Sequence, residues 1–267
     1  MEVSQYAVNN RIDTEPAFNW WVKKHLKQHK QMIKMSQRRH IKPGYKFGLC
    51  VPSTVKEALE IDEMNKNTLW YDAIMKEMTN VRVAFDIRCK HGKAPPGYKW
   101  IPLRLIFDIK MDFTRKARLV AGGHMTDPPS DMTYSSAVSR ESFRIAFLIA
   151  ALNSLEIQSA DIGNAYLNTS TNEKVYTTAG PEFGADEGKT IIIVQALYGL
   201  KSSGAAWRSH FAHTLRDLHF TFSTYADPDV WFRPATKRTG DPYYEYILVY
   251  VDDILCISEN PGHIINL

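Results

Sequence analysis

Residues 246–257 read Tyr-Ile-Leu-Val-Tyr-Val-Asp-Asp-Ile-Leu-Cys-Ile, an apolar run broken only by the adjacent carboxylates Asp252 and Asp253. The pattern predicts two apolar strands, Tyr243–Val251 and Ile254–Ser258, with both aspartates at the hairpin tip between them. Neighbouring side chains on a strand point to opposite faces, but at a hairpin tip both can lie along the end of the sheet. Two anions in such apolar surroundings repel one another and lose hydration, and a bound divalent cation relieves both penalties. A plain polar turn is the alternative, because Asp is common in turns. Against it, Asp252-Asp253 lacks the glycine of a tight two-residue turn. A metal site built for phosphoryl transfer needs a further carboxylate from elsewhere in the chain. Asp161 is the candidate, at the end of a predicted strand Leu155–Ile162; alone it would read as a cap or turn residue.

Working outward, a helix is expected over Ser202–Leu218, with Trp207, Phe211, Leu215 and Leu218 on one side. Another follows Ser139, with Phe143, Ala146, Phe147 and Ala150 at helical spacing. Strands are expected at Lys174–Thr177 and Thr190–Gln195. The second half thus reads helix, strand, strand, strand, helix, hairpin, which predicts an α+β domain with an antiparallel sheet. Upstream, Trp100–Lys110 and Ala117–Ala121 read as a strand pair. Thr54 with Glu57 three residues on forms a capping-box start for a short helix, and Thr68 opens a second.

Charge is unevenly distributed. Between Pro16 and Lys56 there are ten basic residues and no acid, so the remaining chain carries 23 basic against 29 acidic side chains. Residues 1–50 are therefore read as a basic arm or linker: one that contacts a polyanion, or a solvated helix resting on the body. Three widely spaced cysteines, Cys50, Cys89 and Cys256, fit neither a disulfide framework nor a four-ligand zinc site and are expected to be reduced thiols. Mean hydropathy is −0.32 and no run approaches the length of a membrane span, so a membrane partner is not expected.

Tyr-Val-Asp-Asp at 250–253 together with Asp-Ile-Gly-Asn-Ala-Tyr at 161–166 resembles the catalytic core of reverse transcriptases. Five further phrases, in order, resemble those of copia-type long-terminal-repeat retrotransposons: 68–77, Lys116–Ala121, Ala137–Arg140, Ala196–Lys201 followed by Trp207, and Ala226–Asp229. The resemblance implies fingers and palm over 51–258, with a ferredoxin-like antiparallel palm sheet backed by helices, and a truncated tail at 259–267 in place of thumb and ribonuclease H. It implies that Asp161 and Asp252 hold two Mg²⁺ ions, or Mn²⁺ instead, with Asp253 ligating or supporting. One ion would lower the pKa of a primer 3′-hydroxyl and the other would stabilise leaving pyrophosphate. By the same resemblance Tyr166 closes the sugar pocket against a 2′-hydroxyl, with a core tyrosine as the alternative. Lys116 and Arg118 meet the triphosphate of the dNTP, and Lys201 touches phosphate or template backbone or is simply solvated. The implied partners are a primed RNA or DNA template, dNTPs and the rest of a retrotransposon polyprotein. The implied location is intracellular, in a cytoplasmic virus-like particle or the nucleus. The family usually writes Lys-Gln-Ala-Pro-Arg-Ala-Trp where this chain has Lys201-Ser-Ser-Gly-Ala-Ala-Trp207, which leaves a degenerate, non-catalytic nucleic-acid-binding copy as the alternative. A palm-type nucleotide cyclase is a further one.

Overall fold

The computed structural model describes residues 44–90, 92–126, 133 and 135–267. The basic stretch up to Lys42, and with it most of the expected arm, lies outside the described residues. The chain is mixed α/β, with four separate sheets among the described residues.

The first half is built on a pair of helices and two hairpins. β1 (Gly44–Lys46) and β2 (Leu49–Val51) form a short hairpin. α1 (Val55–Asn65) starts with Thr54 Oγ1 accepting from the Glu57 amide at 3.1 Å. Glu57 reaches back one residue further than the expected box, accepting from the amide and hydroxyl of Ser53, both at 2.7 Å. α2 (Leu69–Val81) follows, and Trp70, Ile74, Met78 and Val81 bury its inner stripe. The expected strand pair is present as β3 (Leu103–Ile109) and β4 (Arg115–Ala121), antiparallel from Leu103↔Ala121 to Ile109↔Arg115. In both strands alternate residues are buried: Leu105, Phe107 and Ile109 in one, Ala117, Leu119 and Ala121 in the other. The same alternation turns Lys116 and Arg118 away from the core.

The strands at Lys174–Thr177 and Thr190–Gln195 are real but do not join the sheet of the acidic hairpin. They appear as β5 (Val175–Thr178) and β6 (Lys189–Ile193). β6 pairs antiparallel with β7 (Phe85–Lys90), and β5 pairs parallel with the two-residue β8 (Lys99–Trp100). Their inner residues Val175, Ile191 and Ile193 pack with Trp70, Phe107 and Leu119 in one core. Burial against these early elements, rather than sequence adjacency, decides the pairing.

The acidic hairpin belongs to a five-stranded, wholly antiparallel sheet. Its strands, from one edge to the other, are β9 (Thr221–Phe222), β10 (Val230–Thr236), β11 (Pro242–Tyr250), β12 (Asp253–Ser258) and β13 (Glu156–Asp161). Sequence patterning missed β9 and β10, whose run carries Arg233 and Pro234 among its apolar residues. Adjacent residues of β11 feed two different cores. Leu248 packs with Ile257 and with Ala146 and Ala150 of α3 (Arg140–Leu152). Ile247 and Val249 pack with Leu215 of α4 (Ser203–Asp217) and Ile264 of α5 (Pro261–Ile265). The helices expected to back the sheet thus cover opposite faces of it, because the apolar stripes they meet alternate along the same strands. Residues 259–267, expected as a truncated tail, contribute α5 to this packing, and Ile257 is fully buried. Cys256 is likewise fully buried, its thiol pushed up to about 11 by burial and then by Glu245, and Cys50 is a second free thiol.

Candidate active site

The hairpin turn falls one residue earlier than the sequence predicts. Tyr250 pairs with Asp253, so Val251 and Asp252 form the turn and Asp253 opens β12. A two-residue hairpin needs positive φ at its first central position, and Val251 supplies it at 60°. For a β-branched residue this conformation costs on the order of 1–3 kcal/mol. Two bonds hold the turn in place. The Trp207 indole Nε1–H donates to the Val251 carbonyl at 2.8 Å, and the Ile162 amide donates to the Asp252 carbonyl at 2.8 Å. Trp207 itself is buried and stacks on Phe211 at 5.3 Å with ring planes 10° apart.

The second of those bonds brings the Asp161 segment beside the turn. β13 runs antiparallel to β12 with Asp161 directly opposite Asp253. Cross-strand partners share a face, so these two carboxylates lie on one side at the end of the sheet, with Tyr250. Asp252 sits in the adjoining turn. Asp161 and Asp253 are exposed and Asp252 is half-buried. Carboxylate oxygens are the donors that a hard cation such as Mg²⁺ takes, and the backbone places all three residues at the same end of the sheet. Among the described residues, however, no three His, Cys, Asp or Glu side chains converge closely enough to hold a metal ion.

Facing this end of the sheet is the outer surface of β4. Lys116 feels the charge of Asp161 and of Glu77, but burial and the nearby Arg118 and Lys110 leave its ammonium below the usual lysine range. Burial, first of all, raises the Glu77 carboxyl, against the Leu119 amide it accepts from at 2.8 Å and the charges of Arg118 and Lys116. Arg118 lies over the Tyr198 ring, its guanidinium carbon 4.1 Å from the centroid. Tyr198 in turn packs on Tyr166, centroids 4.7 Å apart at 52°. Burial and then Asp252 raise the Tyr166 hydroxyl, with Arg118 acting in the opposite direction. Tyr166 belongs to a 3₁₀ turn, Ala165–Asn168, that packs on α4. A Cβ built on Gly204 would lie 3.9 Å from the Tyr166 hydroxyl, so one of the positions where this chain departs from the family phrase borders that side chain.

The structure therefore brings together Asp161, Asp252, Asp253, Tyr166, Lys116 and Arg118. Lys201 stands apart from them in role: its Nζ donates to the Thr126 carbonyl and anchors the chain there. Tyr198 and Glu77 were not singled out by sequence. Tyr198 precedes Gly199, whose φ of 94° marks a turn, and a Cβ there would meet the Ala121 carbonyl oxygen at 2.1 Å. That glycine was the available signal that residues 198–199 press against β4.

The model of the family described as reverse transcriptase (RNA-dependent DNA polymerase) matches residues 89–267. The chain belongs to this family. It is 28% identical over 221 residues to the retrovirus-related Pol polyprotein from transposon TNT 1-94 of Nicotiana tabacum, covering 81% of this chain and 16% of that protein. It is 29% identical over 237 residues to the corresponding polyprotein from transposon RE1 of Arabidopsis thaliana, covering 83% and 15% respectively. A third relative, from transposon RE2 of the same plant, is 30% identical over 170 residues, or 60% of this chain and 11% of that one. The chain thus spans about a sixth of the length of the first two relatives. The resemblance to copia-type elements rests on these relatives as well as on the motifs. Among the described residues no helix is long and apolar enough to cross a membrane.

Proposed function

We propose that the chain is the fingers and palm of an RNA-directed DNA polymerase of a copia-type retrotransposon, extending a primer with dNTPs by two-metal nucleotidyl transfer. Residues 51–258 form this unit, and the five-stranded sheet is its palm. One observation carries the reading: Asp161 and Asp253 are cross-strand partners beside the Asp252 turn, and a strand bearing Lys116 and Arg118 faces them. Asp161 and Asp252 would hold two Mg²⁺ ions, with Asp253 ligating or supporting. Bound there, the ions supply electrostatic stabilisation of the charge that develops in phosphoryl transfer. Lys116 and Arg118 bind the triphosphate, Arg118 by the planar fork suited to phosphate oxygens. The Tyr166 ring occupies the volume a 2′-hydroxyl would need and so selects deoxynucleotides. The substrates are a primed nucleic-acid template and dNTPs, acted on inside the cell by a segment of a Pol polyprotein.

Primer extension by the full chain on a primed RNA template, with Mg²⁺, is the test. Template-dependent incorporation is expected, and Asp161→Asn should abolish it without lowering thermal stability. A wild-type protein that binds primed template without extending it would establish a non-catalytic remnant instead. Turnover of nucleotide without template would point to a cyclase-type palm enzyme.

A further inference from the structure

The segment 196–200 runs between the two halves of the site and is bonded to both. On the side of β13, the Ala196 amide donates to the Thr169 carbonyl at 2.9 Å, just past the turn that carries Tyr166. On the side of β4, the Ala121 amide donates to the Tyr198 carbonyl at 2.7 Å. Leu197 and Leu200 are buried on either side of Tyr198 and fix the segment in the core. The Leu197 carbonyl also accepts from the Ser203 hydroxyl at 2.7 Å, tying the segment to α4. Gly123 completes the junction: a Cβ there would meet the Gly199 carbonyl oxygen at 2.2 Å, so two backbones cross without side chains between them.

The half-buried Tyr198 ring is consequently fixed on both sides, and each face of its surroundings meets a residue of the proposed nucleotide pocket. The Arg118 guanidinium lies over it at 4.1 Å and the Tyr166 ring leans on it at 4.7 Å. An arginine held over an aromatic face keeps its forked N–H groups in one plane and loses less freedom when it binds phosphate. A tyrosine leaning on a second aromatic ring at a fixed tilt cannot swing away from a sugar. Burial raises the hydroxyls of both tyrosines, and both feel Asp252 and Arg118, so the three side chains occupy one electrostatic environment.

We propose that Tyr198 is a positioning residue for nucleotide selection: its ring orders Arg118 for the triphosphate and Tyr166 for the sugar at once. This rests on the polymerase reading and on the roles given to those two residues. It predicts coupling between two properties that would otherwise be independent, triphosphate affinity and sugar discrimination.

Equilibrium binding of dATP and of ATP, with Mg²⁺, to the full chain on a template whose next base is T and whose primer lacks a 3′-hydroxyl needs no turnover and tests the proposal directly. Wild type should favour dATP over ATP. Tyr198→Leu, which keeps an apolar side chain but removes the ring, should weaken dATP binding about tenfold and reduce the dATP-to-ATP preference to a similar degree. Tyr198→Phe should restore both, because the face and not the hydroxyl does the ordering. In the Tyr166→Ala background, Tyr198→Leu should change the sugar preference no further while still weakening binding. A Tyr198→Leu protein that unfolds at the wild-type temperature and keeps both affinities would overturn the proposal and leave the polymerase reading intact. A Tyr198→Phe protein that fails to restore the preference would also overturn it. A wild-type protein that binds neither nucleotide would overturn both readings together.

Discussion

Removing the hydrogen bond between Trp207 and the Val251 carbonyl should loosen the acidic turn more than it unfolds the protein. Trp207→Phe keeps an aromatic ring against Phe211 but deletes the Nε1–H donor 2.8 Å from that carbonyl. A neutral hydrogen bond contributes about 0.5–1.5 kcal/mol, and trimming a buried indole to a phenyl ring leaves a small void; together roughly 2–3 kcal/mol. In a chain of 267 residues each kcal/mol lowers the Tm by about 2–4 °C, so a fall of roughly 4–12 °C is expected by circular dichroism. The functional effect follows from Val251, which the bond helps to hold at φ 60°. Released, the turn relaxes toward negative φ and carries Asp252 away from Asp161 and Asp253. The Mg²⁺ concentration for half-maximal primer extension should then rise several-fold. Val251→Gly in the same background should bring that requirement back and recover part of the Tm, because glycine adopts positive φ at no steric cost. If Trp207→Phe lowers the Tm while the Mg²⁺ requirement stays put, the bond is structural only and the reasoning about the turn fails.

Two further outcomes are expected. Tyr166→Ala should raise ribonucleotide incorporation relative to deoxynucleotide by tenfold or more in single-nucleotide extension; an unchanged ratio would return Tyr166 to the ordinary core. The Glu77 carboxyl is raised by burial, so its contribution to stability is present below the ordinary carboxylate range near 4.5 and is lost as pH climbs through the raised value. Glu77→Gln keeps the acceptor for the Leu119 amide and removes the charge, so mutant and wild-type urea midpoints should diverge above that range in favour of the mutant. Midpoints that run parallel from pH 4 to pH 7 would contradict the burial argument.

The sequence made the local elements legible wherever one physical signal dominated. Ser139 does cap α3, its side chain accepting from the Ser142 amide at 3.1 Å, and the buried stripe Ala146, Ala150 follows the helical period. It did not make the sheet partners legible, because pairing is decided by which apolar faces share a core. Ile191 and Val175 belong with Trp70 from a helix a hundred residues earlier, and nothing in their own pattern says so. The same limit shifted the acidic turn by one residue. Apolar alternation cannot count the residues of a turn; the register of β11 with β12 does, through Leu248↔Leu255 and Tyr250↔Asp253.

That one-residue shift separates the roles open to the two aspartates. Placed together at a tip, they would be equivalent. Placed as they are, Asp253 is fixed in a strand opposite Asp161, while Asp252 hangs on a turn whose conformation depends on Trp207 and on the Ile162 amide. Asp252 is also the one whose charge reaches Tyr166 and Tyr198. Asp252 thus links the sheet end to the two tyrosines opposite, while Asp161 reaches the cationic Lys116. Any movement of the turn therefore reaches Tyr166 and the acidic end of the sheet through the same residue.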